Sequence, residues 1–524
     1  MDSPETAEAS DGETDAGPSG GGDAGGATSR APHWRQLHLA GIVVLGLWLV
    51  GLVVFSTLIY RSFFLSEDFA TYNQAWIGIA HGRLNPLDTI YQISFVKADF
   101  ELIIWPLALV HFVFPQPVVL LYVQDLAAAG CGLVTYLWIL EFLERQRLPR
   151  SPAILVASAV LVVTVVDPGI YQAVGFDLHM EPIATLFLLL AARDLWRGRI
   201  GRAWWWIAAV LLCGSFAAIM VVGLGISALL AGRSTRWPGI GLIAAGMAWT
   251  ALISVLHADG GSDITNFAYL AGRASIPAGG VMLVVTGVLG HPGRALHNLY
   301  IRYPYMWLHI RAAGIVGLAS AWGFGVPAVV MLVNGLDSHL NFSRSAFQNF
   351  AVLPFVLVGT VMVLVWLSEH VHRGQLVAVV VAVLVLGEAV TFGIEQSPQA
   401  IRQTLAEVQA GPAAALGTAL AKTPANAEVV STMGVMGRFS SREYCYFFER
   451  YRNLPVHGNT VVFVFSTSNL ELISAAGMQL AITYVRENLH AQPLVDTAGV
   501  TAFLWHPPAG TSGVRIPTVP AVTP

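Results

Sequence analysis

Apolar residues run almost unbroken for about 20 positions at a time between Leu39 and Thr391, a length suited to hydrocarbon roughly 30 Å thick. The runs fall at 39–60, 116–143, 153–173, 182–196, 203–213 with 215–232, 239–256, 308–322 with 325–336, 349–368 and 375–395. With the two short pairs counted as hairpins they predict about eleven transmembrane helices, and so an all-α polytopic membrane bundle. Segments 66–80, 88–113 and 277–300 are too polar or too short to span and read as interfacial walls.

After Glu395 the pattern changes. A helical stretch from Pro398 to Lys422 is followed by strand-like runs at Glu428–Thr432, Thr460–Phe465 and Val500–His506, with helix-like segments such as Asn469–Tyr484 between them. That alternation predicts a small α/β domain over residues 396–507, ended by a Pro-rich tail at 508–524. Residues 1–38 carry Asp2, Glu5, Glu8, Asp11, Glu13, Asp15 and Asp23 among glycines, a composition that predicts disorder. The acidic start, and a full-length apolar run with no small-residue cleavage site behind it, read as a signal anchor and not a cleaved signal peptide.

Arginine in short loops sets the orientation. Arg145, Arg147 and Arg150, then Arg193, Arg197, Arg199 and Arg202, then Arg233, Arg236 and Arg373 mark cytoplasmic loops. The N-terminus is then cytoplasmic, and residues 61–115, 174–182, 257–307, 337–348 and the C-terminal α/β domain are extracytoplasmic. The transmembrane domain occupies 39–395.

Composition narrows the function. The chain is 55% hydrophobic and 11% charged, against roughly 25% charged for a soluble protein, which excludes an ordinary cytosolic enzyme. A net charge of −4 with scattered basic residues offers no nucleic-acid surface. Cys131 and Cys213 lie in apolar runs and Cys445 stands alone, so no disulfide framework is predicted. No GxxxxGK[ST], HExxH, paired CxxC or GxSxG motif occurs, which leaves chemistry to carboxylates, histidines and arginines at the membrane surface.

Three acidic groups stand there. Glu67 and Asp68 follow the first run closely, and a helix starting at Asp68 would align Asp68, Tyr72 and Trp76 along one stripe. The plainer reading of this stretch is an N-cap at Ser66 or Asp68. Asp99 and Glu101 precede the apolar Leu102–Val113, where a helix N-terminus would also favour acids. Asp167-Pro, then Asp177, His179 and Glu181-Pro182, lie in and before a very short loop. Asp177, His179 and Glu181 would suit a divalent cation, the one cofactor these ligands suggest; alternatively Glu181-Pro182 opens the next helix and His179 bonds backbone. Arg302, Arg311 and Arg344 could meet phosphate oxygens at headgroup depth, or Arg302 and Arg311 could act as snorkelling anchors.

The stretch Asp68 to Gln74 with Gly82 and Pro86, the Phe95–Pro106 segment, Phe176-Asp177-Leu178-His179 and the later Thr423-Pro-Ala-Asn-Ala-Glu-Val-Val resemble the domain of unknown function 2079 family of bacterial membrane proteins. That family is similar to the GT-C superfamily of glycosyltransferases. The resemblance runs from about 60 to 507. It implies a GT-C-like enzyme in the bacterial plasma membrane that moves a sugar from a polyprenyl-phosphate donor to an envelope glycan or lipid acceptor. It implies further that Asp68, with Glu67 beside it, is the catalytic base. Tyr72, Gln74, Asp99, Glu101, Asp177, His179, Arg302, Arg311 and Arg344 would then contact substrate. Two positions depart from the family pattern: Ala98-Asp99 stands where relatives carry Asp-His, and Cys213-Gly-Ser215 where they often carry Lys-Glu. Two other classes compete with this reading, a transporter or flippase with Asp125, Asp177 and Glu388 on its path, and a non-catalytic envelope scaffold.

Overall fold

The structure is a computed structural model, and it describes residues 33–256, 266–273, 281–338, 347–409, 411–449, 453–467 and 473–517. Its first part is a bundle of apolar helices, and its last part carries a mixed sheet.

Among the described residues, five helices are long and apolar enough to cross a membrane: Arg35–Ser62, Val118–Arg145, Arg233–Leu256, Val352–His370 and Gly374–Gln403. A sixth span forms if Arg150–Val166 and Pro168–Phe176, bent by 46° at their junction, are taken together. Length and composition therefore support fewer spans than the eleven expected, because several apolar runs fold into short arms. Ile200–Leu211, Ser215–Ala231 and Ala321–Leu336 are such arms. The expected arm at 308–322 is not one continuous helix. The Pro292–Ile310 helix ends there, Gly314 takes φ +77, which a residue with a Cβ rarely adopts, and a single tight turn at Ile315–Ala319 follows.

The bend in the 150–176 span has a local cause. Proline at 168 lacks an N–H and pushes residue 167 out of the helical region, so the helix stops at Val166. Asp167 then caps the next helix by accepting from the Gly169 N–H at 2.8 Å. The outcome is a helix that turns across the end of the bundle instead of leaving it.

The sheet has the order Cys445–Phe447, Glu428–Ser431, Val461–Ser466, Val500–Trp505, Gln492–Thr497. The first three strands are parallel and the last two add antiparallel. Glu428–Ser431 and Val461–Ser466 are buried along their whole length, as expected for strands covered on both faces. One face packs on Leu416 and Ala419 of the Gly411–Lys422 helix and on Phe63, Ala70 and Ile90. The other packs on Met478 and Ala481 of the Ala475–Thr483 helix.

The sheet is thus fastened to the chain just beyond the first spanning helix. The Gly437 N–H donates to the Leu65 carbonyl at 2.9 Å, and Arg438 donates to the Tyr60 carbonyl at 2.7 Å while lying over the rings of Tyr60 and Phe63. A Cβ at position 437 would meet Leu65 Cβ at 2.5 Å, so only glycine permits this approach. Gly437→Leu is expected to destabilise the protein by about 1–3 kcal/mol through overpacking, read as a lowered unfolding midpoint of the detergent-solubilised chain.

Candidate functional site at the exit of the first helix

The Glu67–Ala80 helix begins a few residues after the first spanning helix, and Phe69, Tyr72, Ala75 and Trp76 anchor it in the bundle core. Ser66 occupies its N-cap position, but the hydroxyl does not cap the helix. Instead Ser66 donates both its N–H, at 2.9 Å, and its hydroxyl to Asp177 Oδ2. Asp177 Oδ1 accepts from the Leu178 N–H at 2.9 Å. The loop after the bent span is fixed in turn by Gln124, which accepts from the His179 N–H at 2.6 Å and donates to the Asp177 carbonyl at 3.1 Å.

This clamp brings Asp68 and His179 together, with Asp68 Oδ2 3.9 Å from His179 Nε2. The His179 side chain is 8% exposed and that of Asp68 38%, so the imidazole is buried and the Asp68 side chain only partly so. His179 lies flat against Phe347, ring centroids 3.5 Å apart, and Phe176 stacks beside both, 5.6 Å from His179 and 5.8 Å from Phe347. Burial pushes its pKa down to about 3, so the ring is neutral. Its Nε2 has no hydrogen-bond partner.

Removal from water, and then the carboxyls of Glu67, Asp177, Asp99 and Glu181, hold the Asp68 pKa well above the usual range. Asp177 is raised to about 6 by burial, a shift moderated by the two bonds from Ser66. Tyr72 donates to Asp99 Oδ2 at 2.7 Å, and burial with the nearby acids raises its phenol. Trp76 donates its indole N–H to the Leu107 carbonyl at 2.9 Å.

Of the residues singled out from the sequence, Glu67, Asp68, Tyr72, Asp99, Glu101, Asp177, His179 and Glu181 gather at this end of the bundle. Glu101 lies against Gly214, in the stretch where the related family often carries Lys-Glu. Gln74 points elsewhere, exchanging bonds with Thr89. Arg311 is taken up by Glu388 and the ring of Phe392. Arg302 is 3% exposed and donates to the Asn334 carbonyl at 3.4 Å; its Nε is unpaired. Arg344 lies outside the described residues.

The expected ligand set of Asp177, His179 and Glu181 is not assembled: no group of three or more such side chains among the described residues is placed to hold a metal. Asp177 is engaged by Ser66 and Leu178, and Glu181 stands in the first turn of the Glu181–Trp196 helix with Pro182 behind it. Sequence reasoning missed Gln124, Phe347 and the bridging use of Ser66. A glutamine beside Asp125 within an apolar run was the one available signal, since a buried amide needs partners.

A helical bundle that turns acids and a neutral imidazole toward one membrane surface defines a polytopic membrane protein. Residues 55–477 match the family described as "Predicted membrane protein (DUF2079)", and the chain belongs to that family. No curated protein matches it. Two solved structures of ArnT from Cupriavidus metallidurans are similar at 13% identity. The form bound to undecaprenyl phosphate has a TM-score of 0.48, covering 90% of this chain and 98% of that one. The apo form has a TM-score of 0.43, covering 91% and 98%.

A carboxyl whose pKa is raised in the folded state binds its proton more tightly there than in the unfolded chain, so its contribution to stability falls as pH rises from about 4 upward. Asp68→Asn is accordingly expected to raise the unfolding midpoint at pH 7.5, with the difference from wild type shrinking toward pH 4. Intrinsic tryptophan fluorescence across that range checks it.

Proposed function

We propose that the chain is a membrane glycosyltransferase that takes a sugar from a polyprenyl-phosphate donor and passes it to an envelope glycan or lipid acceptor on the outer face of the plasma membrane. The observation that carries this reading is the partly exposed Asp68 side chain set against buried, neutral His179 at the exit of the first spanning helix. A lipid-linked sugar presents its head at that depth while its tail stays in hydrocarbon.

In this reading Asp68 takes the proton of an acceptor hydroxyl. The acceptor oxygen bonds to the sugar's anomeric carbon, the carbon–oxygen bond to phosphate breaks, and polyprenyl phosphate leaves. A carboxylate within hydrogen-bond reach of that hydroxyl can serve as the base. Neutral His179 offers Nε2 for a hydrogen bond without quenching the Asp68 charge. Tyr72 presents a hydroxyl oriented by Asp99. Arg302, a deeply buried guanidinium with its Nε unpaired, is the better candidate for the departing phosphate, since Glu388 already neutralises Arg311.

The charges inside the spans favour transfer over transport. Asp125 accepts from Ser56 at 2.9 Å, and Glu388 binds Arg311. Each has a local partner, although Asp125 Oδ2 is left unpaired, and neither joins the acids at the bundle end.

The test is incubation of purified protein in nanodiscs with radiolabelled polyprenyl-phosphate sugars and envelope glycan acceptors. Wild type is expected to transfer label, and Asp68→Asn to lose at least about 100-fold while remaining folded. Undiminished transfer by the variant would remove Asp68 from the role of base. Absence of transfer across a broad donor panel would overturn the enzyme reading in favour of transport or a scaffold.

A further inference from the structure

A separate space lies on the other side of the Glu67–Ala80 helix. It is a cavity of about 220 Å³ walled on one side by Gln74, Ile77, Gly78 and His81, and on the other by the segment 440–443 that leads into the sheet's edge strand. The exposed pair Arg83–Glu443, at 2.7 Å, bridges the two walls. Ser440 and Ser441 are placed by Asn73, whose amide donates to both hydroxyls at 2.9 and 3.1 Å.

Arg442 lines this cavity and is the unusual group in it. It is half-buried, and among the described residues no carboxylate pairs with it. Its one side-chain bond is a long contact from Nη2 to the Thr423 carbonyl at 3.4 Å, and its Nε has no partner. A guanidinium withdrawn from water is costly unless an anion and good hydrogen bonds offset the desolvation. The neighbouring acid cannot supply that anion, because Glu443 is already held by Arg83. The Ser440 hydroxyl is spent on the Gly437 carbonyl, so what the wall offers is a cation, the Ser441 hydroxyl and an imidazole around a space that can admit a small solute, a donor set matched to oxyanions.

We infer that the cavity between the Glu67–Ala80 helix and residues 440–443 is an oxyanion-binding site, centred on Arg442 with Ser441, for the phosphate or carboxylate group of a small soluble acid. The site faces away from the Asp68 stripe and is built partly from the sheet segment, so its ligand is not the group undergoing transfer. It stands independently of the transfer reading.

The full chain is examined in nanodiscs of zwitterionic lipid by equilibrium dialysis with inorganic phosphate, glucuronate and, as the neutral control, glucose. Saturable binding of phosphate or glucuronate is expected, with none of glucose. Arg442→Gln is expected to weaken it at least about tenfold, as loss of a charge-assisted contact should. Because that variant also alters packing, Ser441→Glu supplies a second readout. It places a carboxylate beside Arg442, and is expected to raise the unfolding midpoint and abolish binding of the added anion. Absence of saturable anion binding by wild type would overturn the inference, as would unchanged binding in Ser441→Glu. So would a response that appears only when the nanodiscs contain phosphatidylglycerol, which would trace the oxyanion to a lipid headgroup.

Discussion

The arrangement of the site depends on one buried carboxylate. Asp177 holds Ser66 by its N–H and its hydroxyl and also accepts from its own neighbour Leu178, so its two oxygens tie together segments 111 residues apart in sequence. Hydrogen bonds to an ionised group contribute about 1.5–3 kcal/mol each, and breaking one side leaves a buried charge unpaired. The bond fixes where the chain goes on leaving the first spanning helix. With that exit set, the Glu67–Ala80 helix can begin only where Asp68 faces His179. Gly437 and Arg438 dock on the same few residues, at Leu65 and Tyr60, so the sheet is positioned by the same junction.

Much of the local structure was legible because it is written in short-range pattern. The spacing of Asp68, Tyr72 and Trp76 marked one stripe of a helix, and all three face partners in the folded chain: His179, Asp99 and the Leu107 carbonyl. Glu181-Pro182 does open a helix. The reading of Ser66 as a cap was right about position and missed the bond, because a hydroxyl able to cap locally found a charged acceptor far away in sequence. The Phe347 ring on His179 and the Arg311–Glu388 pair are invisible for the same reason: no periodicity links residues 168 or 77 positions apart. The count of eleven spans goes beyond the five or six that length and composition support among the described residues, because apolar runs such as Ser215–Ala231 form helices shorter than 18 residues that are packed among their neighbours.

The acids at the bundle end are mutually unfavourable, and the fold tolerates them in a specific way. Asp99 is engaged by Tyr72 and Asp177 by Ser66, so their charges are met by donors. Asp68 is left with a partly exposed side chain and a neighbour that carries no charge. Had His179 been exposed it would titrate near neutrality and pair with Asp68 as an ion; buried against Phe347 and beside Phe176 it stays neutral.

The Asp68 site and the cavity are related through one helix. With about 100° between successive residues, Asp68 and Gln74 stand roughly 120° apart around the Glu67–Ala80 axis, so this single element presents Asp68 to His179 on one side and an amide wall to the sheet segment on another. Asn73, buried in the same helix, reaches Ser440 and Ser441 and leaves no slack between the helix and the segment leading into the sheet. A group bound against Arg442 would bear directly on that helix, and any shift of it moves Asp68 relative to His179, which the Gln124 amide holds to the bundle. Occupancy on one face and geometry on the other are thereby joined by a rigid element of four turns, which gives a physical route from an anion held at Arg442 to the alignment of Asp68.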